Sequence, residues 1–337
     1  VHAVILESGG MDLPGATLAC LRPRGVVLQR NHSEHGFRLR PASPERLTER
    51  LFASVAMTTP FPGAFRPGRV MLGMLPPGDW PKVIPFVRSL RASGYTGETV
   101  LFAIDADPAA QRFLAANGCH GITAALQPNF RHVPAQCLRY FLYRTFLHQF
   151  GDAFDGVFLT DVDDVVVQGD VFAHLAPGCL TVFGADGPVR ERPGDAAWIR
   201  DLYGPDMLAA MGDSPAVCSG TILGELPLVT DYLQRMTEHL QPVPVRLSEP
   251  GGGDGADQGV GNVLLRRGLL PPCRVLANAD AAVFTYDGPC AMLPDGRLAT
   301  PDGRPFAVVH YGSDQPELAR RLLDRLGPDG REPAPQA

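Results

Sequence analysis

Lysine is almost absent: Lys82 is the only one in 337 residues, and every other cationic side chain of that kind is an arginine. A phosphate clamp in this protein must therefore be built from arginine, metal and backbone N–H groups. A basic excess is lacking too. The formal charge of -6 argues against binding to duplex nucleic acid, which calls for a basic face, but not against a nucleotide, which needs only a local site. The seven cysteines (Cys20, Cys119, Cys137, Cys179, Cys218, Cys273 and Cys290) are odd in number and scattered, with no C-x-x-C pair. Neither a disulfide framework nor a structural zinc site is indicated, and a reducing cytoplasm is the simpler setting. An apolar run of about 18 residues and a signal-peptide pattern are both missing. No transmembrane segment is expected, and docking at a membrane face stays open. No internal repeat is present.

What is there is an ordinary globular composition, 45% apolar, sufficient for one large α/β domain with or without an appendage. Residues 1–40 carry short strand-like runs, VHAVILE, TLACLR, GVVLQR and GFRLR, split by Gly, Pro and Asn. PASPERLTERLFASVAM reads as a helix with Ser43 as N-cap and Pro44 at its first position. The breaker-rich TTPFPGAFRPG then sets a boundary near Gly68. This separates a small β-rich N-terminal extension, 1–67, from a main domain, 68–327. The tail 328–337 has the composition of a disordered segment.

From Gly68 onward strands and helices alternate. RVMLGML, TVLFAID and GVFLTD are strand-like, with helices at WPKVIPFVRSLRASG, PAAQRFLAANG and AQCLRYFLYRTFLHQFG. Such alternation predicts a mostly parallel sheet flanked by helices. Later segments are mixed: TVFGAD, SGTILG, the helix PLVTDYLQRMTEHL, DQGVGNVLLRRG and AVVHYG.

One strand ends in a concentration of charge. In VFLTDVDDVVVQGDVF an apolar run delivers Asp161, Asp163 and Asp164 within four residues. Ligands of open α/β sheets sit beyond the carboxyl ends of the strands. Carboxylates this close repel one another, and Mg²⁺ or Mn²⁺ shared with substrate phosphates is a usual compensation. The plain alternative is a solvated acidic turn. Asp105 and Asp107 also follow a strand, but Asp107-Pro108 before a helical run is an N-cap signature. Three further segments join the Asp161 cluster. In AVCSGTILG, the small residues Ser219 and Gly220 would let an acceptor or a sugar ring approach the backbone, though Ser-Gly is equally a plain turn. GGGDGADQGVGNVLL ends a glycine run in Asp257-Gln258, where Asp257 taken alone reads as a cap. PFAVVHYGSDQ ends a strand in His310, before a turn at Gly312. An imidazole there is more often structural, yet it is a good ligand for Mn²⁺ beside carboxylates.

The ordered set of a paired-Asp strand end, a Ser-Gly strand, an Asp-Gln helix start and a late His-x-Gly resembles the GT-A fold glycosyltransferases. It is most similar to the retaining, glycogenin-like group and related plant and microbial nucleotide-diphospho-sugar transferases. Their pattern is Leu-(Ser/Thr)-Asp-Val-x-Asp-Val-Val-(Phe/Val)-Gln with a late Val-His, and the resemblance covers roughly residues 68–325. It implies a metal held by Asp161, by Asp163 or Asp164, and by His310. It also implies reacting-face roles for Asp257 and Gln258. Gly73 and Met74 would meet the nucleotide base and ribose, and Arg139 or Arg144 the diphosphate or donor sugar. Ser219, Gly220 and Gly312 would be counted among the donor-contacting positions. The family often places a lysine after its late His-x-x-Gly to grip the diphosphate; none follows His310 here.

The implied activity is transfer of a sugar from a UDP-sugar, or another nucleoside-diphosphate sugar, to an acceptor hydroxyl on a small molecule, glycan or protein, with retention. A phosphohydrolase of the haloacid dehalogenase type also has a strand ending in Asp-x-Asp, but it wants a downstream lysine. A nucleotidyltransferase would open with a glycine-rich basic loop, which LGMLPPGDW does not supply. A non-catalytic sugar-nucleotide-binding module is the remaining alternative.

Overall fold

The computed structural model describes residues 64–76, 78–105, 107–126, 134–240, 255–312 and 315–326, together with four strand backbones among the first 63 residues. Strands β1 (Val4–Leu6), β2 (Val26–Arg30) and β3 (Phe37–Pro41) form a small sheet in that order. They fall within three of the four N-terminal strand-like runs. TLACLR, the tail 328–337 and the glycine run 251–254 lie outside the described residues.

The helix expected over PASPERLTERLFASVAM is not what its ends form. Pro41 closes β3, and Val55–Met57 is strand β4, while residues 42–54 lie outside the described residues. β4 pairs antiparallel with β7 (His120–Leu126) at the edge of the main sheet. A short segment joining an existing strand gains ladder hydrogen bonds at once, whereas a helix must first nucleate.

The main sheet has eight strands. To β4 and β7 it adds β5 (Gly68–Met74), β6 (Glu98–Ile104), β8 (Phe154–Thr160), β10 (Leu180–Pro188), β11 (Pro215–Glu225) and β12 (Cys273–Leu276). Its order is β12-β10-β11-β8-β5-β6-β7-β4. β5, β6, β7 and β8 run parallel, and so do β10 and β12; β11 runs against both its neighbours. The arrangement is α/β and Rossmann-like, a mostly parallel sheet with helices on both faces.

The strands read as near-continuous apolar runs because both faces are covered. Val70, Leu72 and Met74 of β5 pack on one side with helices α3 (Ala135–Phe150), α6 (Leu226–Leu240) and α7 (Ala256–Arg266). Met71 points the other way, toward α1 (Ile84–Ala92) and α2 (Pro108–Ala116), as the two-residue period of a strand requires. Asp107 caps α2: its carboxylate accepts the Ala109 N–H at 2.6 Å. Asp107 is thus structural. Helices α4 (Pro193–Tyr203) and α5 (Pro205–Met211) lie between β10 and β11, and α8 (Pro316–Asp324) follows the last strand.

Chain order places the site. The chain steps outward from β5 to β6 and β7, then returns to β8 on the other flank of β5. The two flanks diverge at the carboxyl ends of β5 and β8, where a doubly wound sheet opens its crevice. A second sheet is formed by β13 (Val283–Thr285), β16 (Val308–His310) and β9 (Val165–Val167), with the antiparallel pair β14 (Ala291–Met292) and β15 (Leu298–Ala299) between β13 and β16 in the chain. β16 pairs antiparallel with β9, with His310 opposite Val165. Gln168 locks this sheet to the chain beyond it: its amide donates to the Leu298 and Phe306 carbonyls and accepts the Leu298 N–H. No helix among the described residues is long and apolar enough to cross a membrane.

Candidate metal centre and its cavity

β8 is buried along its last five residues and runs out at Thr160, so Asp161 emerges at the carboxyl edge of the sheet. Its N–H donates to the Gly220 carbonyl of β11 at 2.7 Å, continuing the ladder by one residue. The loop turns, β9 begins, and the β9–β16 pairing carries His310 back beside it. Asp161, Asp164 and His310 offer three ligand atoms within 4.8 Å of one another. His310 Nε2 lies 3.1 Å from Asp164 Oδ1 and 3.5 Å from Asp161 Oδ2.

Of the two alternatives for the second carboxylate, Asp164 is the one that joins this group. Asp163 is exposed and outside it. Asp164 Oδ1 is buried and near the imidazole, yet no donor is aligned on it. An orphaned buried carboxylate oxygen of this kind has lone pairs to offer a cation. Two carboxylates with one imidazole form a donor set that fits a divalent cation. Gly220 forms the floor. A Cβ there would fall among the Asp161 carboxylate atoms and 2.9 Å from His310 Cε1.

The electrostatics follow from crowding. Burial pushes the Asp161 carboxyl up, against the pull of Arg139 and His310. Asp163 reaches solvent at the surface, yet the protein packed around its loop desolvates it, and with the two carboxylates beside it this pushes the carboxyl up to about 6. Burial works the same way on Asp164, but His310 outweighs it and holds that carboxyl below the usual range. Burial opposes charge on His310, and Asp164 overcomes it, so the imidazole is raised. On its other edge, His310 Nδ1 is 3.4 Å from the Cys218 thiol, which turns Nε2 toward the carboxylates.

Arg139 is the cation behind the group. It is 7% exposed, ion-paired to Asp161, and 2.6 Å from Asp257 Oδ2. Arg144, five residues along the same helix, points elsewhere, to Thr237 Oγ1 of α6 at 3.3 Å. The two candidates are thereby separated. Asp257 is not the cap of α7, a place taken by Gly255. It also accepts from Tyr140 and Ser219 hydroxyls, each at 3.1 Å. Gln258 Nε2 donates to Asp195 Oδ1 at 2.7 Å, and its Oε1 faces the Tyr286 hydroxyl at 3.3 Å.

A cavity of about 460 Å³ opens over these residues, lined by Asp161, Asp164, His310, Gln258, Gly312 and Gln315 on one side and the Glu191–Trp198 segment, Tyr286 and Asp287 on another. Gly73 and Met74 do not line it. Met74 is buried in the core, and a side chain at Gly73 would meet Val162, so Gly73 leaves room for the acidic loop. Sequence reasoning missed Arg192, Asp195, Trp198 and Tyr286. Pro193 with Asp195 in the first turn has the pattern of any helix start, and Tyr286 follows an unremarked short strand.

No family model matches the chain. A stretch of 52 residues is 42% identical to a protein-L-isoaspartate O-methyltransferase of Triticum aestivum. That similarity covers 15% of this chain and 23% of that protein, so the chain matches about a quarter of the relative's length.

Proposed function

We propose that this protein is a metal-dependent glycosyltransferase of GT-A type that moves a sugar from a UDP-sugar, or another nucleoside-diphosphate sugar, to an acceptor hydroxyl with retention. The observation that carries the reading is the convergence of Asp161, Asp164 and His310 at the switch point of the sheet, within one cavity that Gln258 also lines. These residues come from three distant parts of the chain, around 161–164, 258 and 310. The buried His310, 3.1 Å from Asp164 though 146 positions further along the chain, supports this reading over a solvated acidic turn.

In this mechanism Asp161, Asp164 and His310 hold Mn²⁺ or Mg²⁺, which when bound supplies Lewis-acid neutralisation of the diphosphate. Arg139, paired with both, holds the Asp161 and Asp257 carboxylates in place. Asp257, bonded to Arg139, Tyr140 and Ser219, is buried behind the cavity wall and positions Arg139 rather than meeting the donor sugar itself. Gln258, held through its nitrogen by Asp195, presents its carbonyl oxygen to the positive charge that develops at the anomeric carbon. The acceptor oxygen attacks from the side of the leaving group: its bond to the anomeric carbon forms as the bond from that carbon to the diphosphate oxygen breaks. The acceptor proton passes to a phosphate oxygen, so no carboxylate base is required.

The test is nucleotide release from a panel of sugar nucleotides with Mn²⁺, with product stereochemistry read by NMR. Asp161→Asn is expected to lower turnover by at least a hundredfold. Unchanged turnover would refute the site, and an inverted linkage would refute retention. S-adenosylmethionine belongs in the same panel; its consumption in place of sugar nucleotides would favour the methyltransferase similarity.

A further inference from the structure

The cavity's far wall has a chemistry of its own. Five carboxylates line the space, Asp161, Asp164, Glu191, Asp195 and Asp287, against one guanidinium, Arg192. That guanidinium is already engaged, 3.1 Å from Asp195 and 3.0 Å from Asp287. Two ligating carboxylates are spoken for by a divalent cation, and a donor diphosphate brings further negative charge. An anionic acceptor entering here would meet uncompensated carboxylates in a partly desolvated space. Ionised carboxylates accept hydrogen bonds only, so the ligand that suits them is rich in neutral donors.

Against this polar lining stands an aromatic side chain that reaches the cavity, Trp198, backed by the Gly255 backbone. Tyr286 is occupied, with the Arg192 guanidinium 5.5 Å from its ring centre and the His310 ring at 4.7 Å. Trp198 is half-buried and lines the cavity, and among the described residues no ring or guanidinium packs on it. Its position is built. A Cβ at Gly194 would lie 3.2 Å from the six-membered ring, and one at Gly259 3.2 Å from the Trp198 Cβ. At Gly255, where φ is +81°, a side chain would fall inside the indole. Three positions without side chains hold one indole at the wall of a polar cavity.

A pyranose has the complementary surface: a face of C–H groups that packs on an electron-rich ring, and a rim of hydroxyls that donate to carboxylates. The volume of about 460 Å³ is in the range of small-ligand pockets, roughly 300–1,000 Å³. We infer that Trp198, with Glu191 and Asp287, forms an acceptor subsite for a neutral pyranose. The acceptor is thus a carbohydrate hydroxyl rather than a phosphorylated or carboxylated molecule. This rests on the glycosyl-transfer reading for the word acceptor, but the binding site can be tested without it.

The chain has two tryptophans, so in the Trp80→Phe protein the indole emission reports Trp198 alone. That protein is titrated with maltose, lactose and cellobiose, and with glucose 6-phosphate as the anionic comparison, each with and without Mn²⁺ and UDP. A saturable change with at least one neutral disaccharide, and at least tenfold weaker binding of glucose 6-phosphate, is expected. Trp198→Ala, followed by calorimetry, is expected to lose the disaccharide at least tenfold while keeping its thermal shift with Mn²⁺ and UDP. No saturable response to any neutral sugar, equal binding of the phosphate, or undiminished binding by Trp198→Ala overturns the inference. Sugar binding without any Mn²⁺–UDP shift would instead sink the glycosyltransferase reading and leave this subsite standing. A Mn²⁺–UDP shift without sugar binding would do the reverse.

Discussion

Asp163 and Asp164 are neighbours with the same side chain, and only their direction separates them. His310 faces Val165 across the β9–β16 ladder, so the residue just before β9 is the one brought to the imidazole. Asp163, one residue earlier, is turned outward. The consequence is a sharp difference between two conservative changes. Asp164→Asn is expected to weaken Mn²⁺ at least tenfold, as loss of one charged ligand does, whereas Asp163→Asn should leave the affinity within about threefold. Titration calorimetry with Mn²⁺ reads both, and equal losses would return Asp163 to the ligand set. In the sequence the apolar run made the end of β8, and with it the place of Asp161, legible; the run TVLFAID ends in acid as well, and there the following acid, Asp107, caps a helix. The second carboxylate was not legible, since it is fixed by a strand register 146 positions away. Arg139 over Arg144 was closed for the same reason: a helix face is chosen by its tertiary neighbours, here Asp257 and Thr237.

At the level of elements, the parallel strands are tied at their amino ends as well as opened at their carboxyl ends. Glu98, at the start of β6, accepts from Arg66 N–H and Nε and stands 2.7 Å from His120 of β7. Burial pushes its carboxyl up, but the bonds from Arg66 and His120 outweigh that and hold it below its usual value. A carboxyl depressed in the folded state favours folding above its unfolded pKa, about 4.3. That contribution fades as pH falls through the lower folded value. Glu98→Gln is therefore expected to lower the melting temperature at pH 7 by about 1–2 °C, near 1 kcal/mol for a chain of this length. The difference from wild type should shrink as the pH is taken toward 3. A deficit that persists undiminished in acid would mean that packing rather than charge is at work. These strands were readable from their apolar runs. β4 and α4 were not: β4 takes its form from pairing with β7, and α4 contributes Asp195 and Trp198 through tertiary placement that a helix-start pattern does not reveal.

For the whole molecule, the scarcity of lysine and the architecture of the crevice meet in one thermodynamic coupling. The single guanidinium lining the cavity is bonded to Asp195 and Asp287, and Arg139 behind it is bonded to Asp161 and Asp257. Neither is free to take a diphosphate without breaking a buried pair, a costly change. The lining carboxylates repel the phosphates as well. Nucleotide affinity must then depend on the divalent cation, and by linkage the cation must bind more tightly when the nucleotide is present. Each ligand stabilises the folded state by mass action, about 2.7 kcal/mol at a hundred times its dissociation constant. The expected pattern in thermal unfolding is no shift with UDP plus a chelator, a small one with Mn²⁺ alone, and one larger than the sum with both. A UDP shift of equal size in the presence of chelator would show that backbone N–H groups and arginine hold the diphosphate unaided. The acidic group at the end of β8 would then need another role than the one its geometry suggests.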